Sequence, residues 1–128
     1  MTARILTVED FAPYRLYVTS LLSPHSHLKV VDEASHGLEA VEKAGHWKPD
    51  IILMDIGLPK LNGLEAARRI RDVSPDSKIV FLTENSAPEL IAEAIELGAS
   101  GYVFKSEAET NLFAAIEAVL AGRHFFSH

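Results

Sequence analysis

No cysteine occurs among the 128 residues, which excludes disulfides, thiolate zinc sites and cysteine nucleophiles. The absence fits a reducing compartment, and a cytoplasmic location is the expectation. Long apolar runs are missing too. The uninterrupted ones extend over only a few residues, too few to cross a bilayer, and the opening stretch turns acidic at Glu9 and Asp10 before an export signal can form. No membrane partner is expected. Positive charge is in short supply: 12 Lys and Arg stand against 18 Asp and Glu, a net charge of −6 that repels phosphate backbones. Nucleic-acid binding by this domain is therefore not expected. The glycine fingerprint of dinucleotide binding is absent after the first apolar run, where Val8-Glu9-Asp10-Phe11 stands instead. Walker A and Gly-x-Ser-x-Gly sequences are also absent, which disfavours nucleotide hydrolysis and serine-hydrolase chemistry.

What is present is the composition of one compact domain, 48% hydrophobic and 23% charged. Short β-branched apolar runs alternate with stretches of helical period, five times over. The strands fall at residues 5–8, 28–31, 51–54, 79–82 and 102–104, and the helices at 14–22, 37–44, 64–71, from Pro88 to Gly98, and 111–121. Continuous apolar strands are covered on both faces, and βα repetition gives a parallel sheet, so the expected fold is α/β: five parallel strands, doubly wound, with helices on both faces. The domain is expected over residues 1–122, with 123–128 as the start of a linker to an output domain outside this chain.

In open α/β sheets, ligands bind at the carboxyl ends of the strands. The residues that follow the runs there are Glu9 and Asp10, Asp55, Thr83 and Lys105. Each has a structural alternative: Asp10 or Thr83 as a helix cap, Asp55 as a turn residue, Lys105 as a solvated lysine. Taken jointly they make an acidic trio facing a hydroxyl and an ammonium. Like charges a few ångströms apart cost about 4 kcal/mol per pair at an effective dielectric near 20, so the trio needs a cation or binds protons. Oxygen-only ligands suit Mg2+, and Lys105 and Thr83 can hold phosphoryl oxygens opposite it.

These residues resemble the receiver domain of two-component response regulators. The resemblance rests on Glu9-Asp10, on the block from Asp55 to Gly63 (DIGLPKLNG), on Thr83, and on Gly101-Tyr102-Val103-Phe104-Lys105. The segments around Asp55, Lys105-Ser106 and Ala121-Gly122-Arg123 look most like receivers that precede a helix-turn-helix DNA-binding domain. The resemblance implies the flavodoxin-like strand order 2-1-3-4-5, and a phosphorylation switch whose output is transcription. It implies Asp55 as phosphoacceptor, with Lys105 and Thr83 assisting. Asp10, Asp55 and the Gly57 carbonyl would bind Mg2+, and Glu9 would help directly or through water. The partner is a sensor histidine kinase or phosphotransfer protein. Thr83 and Tyr102 form the switch, Tyr102 swinging inward, and the surface of the fourth helix, fifth strand and fifth helix offers a homodimer face. Catalysis is limited to the domain's own phosphoryl transfer and autodephosphorylation.

Three positions depart from the family's pattern. Ser106 follows Lys105 where proline is frequent, so a cis peptide cannot be assumed. Glu84 follows Thr83 where a small residue is usual, adding a negative charge near the entrance that bears on donor entry or acyl-phosphate hydrolysis. Gly57 leaves space beside the anhydride. The competing readings are a small-molecule phosphatase, disfavoured because Gly57 stands where such enzymes carry a second acid; a phosphate-independent interaction module; and a flavin binder, disfavoured by the acidic mouth. His25 and His27 read as a surface loop, Trp47 as packing, and Arg68, Arg69 and Arg71 as a solvated basic face. Solvation is also the plain reading of Glu89, Glu93, Glu96 and Arg123.

Overall fold

The computed structural model describes residues 2–127; Met1 and His128, the outer limits of the two segments expected from the sequence, lie outside it. The chain runs β1 (Ala3–Val8), α1 (Ala12–Leu22), β2 (Leu28–Ala34), α2 (Gly37–Trp47), β3 (Ile51–Met54), α3 (Gly63–Val73), β4 (Lys78–Thr83), α4 (Pro88–Glu96), β5 (Gly101–Phe104), a single 3-10 turn (Lys105–Glu107), α5 (Ala108–Leu120) and β6 (Phe125–Phe126). All strand pairs are parallel, in the order β2-β1-β3-β4-β5-β6.

Although the strands are apolar throughout, their side chains still divide by alternation. Leu6, Val8, Ile52, Met54, Ile79, Phe81 and Tyr102 pack on one face with α2, α3 and α4. Ile5, Ile51, Leu53, Val80, Leu82 and Val103 pack on the other with α1 and α5. The central strand β3 is buried along its whole length, so the residue that follows it is fixed by two cores at once.

The sixth strand corrects the five-strand expectation. Residues read from the sequence as the start of a linker return to the sheet: Phe125 N–H donates to Ser100 O at 3.1 Å and Ser127 N–H to Tyr102 O at 2.8 Å. Gly122, at φ +84°, makes the reversal after α5, and Arg123 N–H closes it on Ala118 O. Two aromatic residues are too few to show a period, although their β preference was a cue. The helices keep their places but differ at the ends. α2 runs three residues past Ala44 and closes on Lys48 in the left-handed region, and α5 begins at Ala108 rather than 111. Gly98, at φ +95°, ends α4 as its position suggests.

Polar residues read as solvated or as plain packing have specific partners. Arg68 joins Glu65 on its own helix to Glu93 of α4, and Arg71 donates to Leu97 O. Trp47 Nε1 donates to Asp32 Oδ2 at 2.9 Å. His25 stacks on Phe113 with 3.7 Å between ring centroids, and His27 lies 3.0 Å from Glu117 Oε2.

Two glycines permit the close packing of the loop between β3 and α3. A Cβ on Gly37 would lie 1.8 Å from Leu61 O, and one on Gly63 would lie 2.1 Å from Asp55 O. Both neighbours are backbone atoms and cannot rotate away. Gly63→Ala is expected to destabilise the domain by at least about 1–3 kcal/mol, the range for overpacking, in urea unfolding, and to shift the Asp55 amide resonance. Unchanged stability and spectrum would contradict this account of the loop.

Candidate functional site

Asp55 continues β3 by one residue, its N–H donating to Val8 O at 3.1 Å. Its carboxylate is fixed at both oxygens. Oδ1 accepts from the Ile56 amide at 2.7 Å and, more weakly, from Gly57 N–H at 3.4 Å; Oδ2 accepts from Lys105 Nζ at 2.9 Å. Lys105 comes from the end of β5 and also reaches Glu9 Oε1 at 2.6 Å. These three side chains are 11%, 12% and 7% exposed, for Lys105, Asp55 and Glu9 respectively. Glu9 Oε2 accepts from Phe11 N–H at 3.0 Å. Asp10, by contrast, is exposed.

Glu9, Asp10 and Asp55 each offer an oxygen within 4.8 Å of the others. Such hard, oxygen-only donors fit a divalent ion of the Mg2+ type. The pocket above them has a volume of about 570 Å3, and its lining includes Lys105, Phe11, Tyr14, Thr83, Glu84 and Asn85. A Cβ on Gly57 would meet nothing within 4 Å, so that side of the pocket is open.

The helix caps remove two structural alternatives. The N-cap positions of α1 and α4 are Phe11 and Ala87, neither with a side-chain cap bond, so neither Asp10 nor Thr83 occupies a cap position. Thr83 is buried at the end of β4, where its Oγ1 accepts from Asn85 N–H at 3.3 Å. The Lys105–Ser106 peptide is trans. Tyr102 is fully buried, its ring already inside, and its hydroxyl donates to Asn85 O at 2.7 Å.

Burial pushes the Glu9 carboxyl above its ordinary value, and the bonds from Lys105 and the Phe11 amide offset only part of that rise. For Lys105, burial works to lower the pKa, but the bonds to Glu9 and Asp55 outweigh it and hold the ammonium above the usual lysine range. Burial raises the Tyr102 phenol to about 12, and Tyr14 likewise to about 12. Both phenols are donors at neutral pH.

The sequence reading brought together Glu9, Asp10, Asp55, Gly57, Thr83 and Lys105, and the structure places all six on this pocket. It missed Tyr14, whose ring lies 4.6 Å from Lys105 Nζ and whose hydroxyl donates to Lys105 O at 3.2 Å. It also missed Asn85, which joins Thr83 to Tyr102. Tyr14's place in the first turn of the helix after Asp10 was the available cue; nothing in linear order links it to residue 105.

A doubly wound parallel sheet carrying an acidic, lysine-bridged pocket at the carboxyl ends of its strands defines an α/β domain built around one carboxylate. The sequence matches the response regulator receiver domain over residues 5–117, and the chain belongs to that family. It is 35% identical over 124 residues to the response regulator GacA of Pseudomonas viridiflava, covering 97% of this chain and 58% of that protein. It is 39% identical over 119 residues to the transcriptional regulatory protein LnrK of Bacillus subtilis (strain 168), covering 93% and 54%. Among solved structures, a LuxR-family two-component response regulator from Aurantimonas sp. SI85-9A1 superposes with a TM-score of 0.93 at 38% identity, over 98% of this chain and 89% of that one. The chain thus spans little more than half the length of these two curated relatives. No helix among the described residues is long and apolar enough to cross a membrane.

Removing the ammonium leaves Glu9 and Asp55 facing each other without compensation. In Lys105→Met, the Glu9 carboxyl rises further above its ordinary 4.5. A folded-state pKa above the unfolded one gives stability that is present below about pH 4.5 and lost as pH climbs through the raised value. The variant's deficit against the parent is therefore expected to be small near pH 4 and to grow toward pH 7, reaching at most about 3 kcal/mol at a solvent-open mouth. Denaturant melts across that range, without divalent ions, check it; a deficit independent of pH would contradict the pairing.

Proposed function

We propose that this chain is a phosphorylation-dependent signalling switch that accepts a phosphoryl group on Asp55 from a phosphohistidine of a sensor kinase or phosphotransfer protein. The observation that carries this reading is the Asp55 carboxylate, held at one oxygen by backbone amides and at the other by Lys105, at the floor of an open acidic pocket. One Asp55 oxygen forms a bond to phosphorus as the P–N bond to the donor imidazole breaks. The leaving nitrogen keeps the electron pair, and a mixed anhydride results.

Asp10, Asp55 and the Gly57 carbonyl would hold Mg2+, with Glu9 assisting. Bound there, the ion supplies charge neutralisation between the carboxylates and the phosphoryl oxygens. The chain's own residues do the rest. Asp55 is oriented before the donor arrives, Lys105 can pass from the carboxylates to a phosphoryl oxygen, and the buried Thr83 hydroxyl can bond another. Donating to the phosphoryl group would draw Thr83 away from the Asn85 amide, in the loop that Tyr102 holds at its next carbonyl. With Tyr102 already inside, the switch in this chain lies in that loop rather than in a large swing of the ring. New charge-assisted bonds worth a few kcal/mol shift such an equilibrium by orders of magnitude.

The surface of α4, β5 and α5 would then change, as a homodimer face or toward a further domain. Transcription is the output consistent with the relatives' names. The domain acts on itself alone, through phosphoryl transfer and autodephosphorylation, in the cytoplasm.

Incubation with Mg2+ and a small phosphoryl donor is expected to add the mass of one phosphoryl group, and Asp55→Asn to abolish the gain. No adduct, or an adduct that survives the substitution, would refute the reading and favour an interaction module independent of phosphate.

A further inference from the structure

The charge balance of the pocket does not close. Four carboxylates line it, from Glu9, Asp10, Asp55 and Glu84, against one ammonium, that of Lys105, which already bridges two of them. A divalent ion on Glu9, Asp10 and Asp55 would bring the first three and Lys105 to neutrality. What remains is the single negative charge of Glu84. That residue is exposed and makes no ion pair among the described residues.

Its position is fixed by its neighbours. Thr83 before it ends β4. The Asn85 amide donates to Thr83 Oγ1 at 3.3 Å, Asn85 Oδ1 accepts from Ala87 N–H at 2.9 Å, and Tyr102 donates to Asn85 O at 2.7 Å. A loop tied at three points cannot carry Glu84 away from the mouth by a small adjustment. Only its side-chain torsions are free.

We infer that Glu84 sets donor specificity by charge: it disfavours dianionic acyl phosphates of small molecules relative to phosphoramide donors whose leaving nitrogen carries a proton. This rests on Asp55 being the phosphoacceptor. Acetyl phosphate arrives as a dianion; the Asp55 oxygen bonds to phosphorus, the P–O bond breaks, and acetate leaves with the electron pair. Phosphoramidate arrives near neutral pH as a zwitterion with one net negative charge, the P–N bond breaks, and ammonia leaves with the protons it already bears. The bond formed is the same, and the donors differ at the entrance by one charge. At separations of several ångströms in a solvent-open mouth, one charge against another alters a rate by about two- to five-fold at low salt, and screening removes the effect. The consequence is a bias of that size, at low ionic strength, toward a nitrogen-borne phosphoryl group over small acyl phosphates.

The test is the rate of covalent mass gain on the intact chain with each donor at fixed Mg2+ and low ionic strength, for the parent, Glu84→Gln and Glu84→Lys. Glu84→Gln keeps the shape and removes the charge. The acetyl phosphate rate divided by the phosphoramidate rate is expected to rise about two- to five-fold in Glu84→Gln and further in Glu84→Lys, and the difference from the parent to close at about 0.5 M salt. A ratio unchanged across the three proteins at low salt, or both donors accelerated equally, would overturn the inference while leaving the phosphoacceptor in place. No adduct from either donor in any of the three would instead bring down the reading of Asp55 itself.

Discussion

Two carboxylates with little exposure to water do not share a pocket unless something holds them there. At about 4 Å and an effective dielectric near 20, each like-charged pair costs on the order of 4 kcal/mol. In this chain the Lys105 ammonium sits 2.6 Å from Glu9 and 2.9 Å from Asp55, and the geometry of the pocket depends on that bridge. Glu9 belongs to the end of β1, Asp55 to the end of β3 and Lys105 to the end of β5. The contact therefore ties three non-consecutive strands at one edge of the sheet. On the proposed function, that bridge between carboxylates is what an incoming cation or phosphoryl group would displace.

The rest of the fold places those three side chains. Parallel pairing aligns the strand ends, and a β3 buried on both faces fixes the backbone on which Asp55 stands. Gly63, against the Asp55 carbonyl, and Gly37, against Leu61 O, let the following loop close tightly, so the Ile56 and Gly57 amides face the Asp55 carboxylate. On the far side, Tyr102 and Asn85 join the end of β4 to β5, and β6 pairs with the same stretch of β5 through Tyr102 O. Any motion at Thr83 thus has a short covalent and hydrogen-bonded route to the carboxyl-terminal segment of the chain.

Much of this was legible in the residue order, because apolar strand runs punctuated by polar residues carry their own register. Among the described residues, the five-fold alternation located every α-helix and five of the six strands, and the residues after the runs fall on the pocket. Long-range pairing was not legible. Tyr14 against Lys105, Arg68 against Glu93, and Trp47 against Asp32 lie on elements whose separation in sequence says nothing about facing in space. The sixth strand was missed because two residues cannot show a period and because the turn that returns them depends on the left-handed backbone of Gly122. That Tyr102 is already buried was equally invisible, since a rotamer is set by packing, not by order along the chain.

The account is tested most directly by a crystal structure grown with Mg2+ and beryllofluoride. It should show the ion among Asp10, Asp55 and the Gly57 carbonyl, the fluoride adduct on Asp55, and Lys105 Nζ moved from Glu9 to a fluorine atom. An adduct-free Asp55 with Lys105 still spanning Glu9 and Asp55 would contradict it.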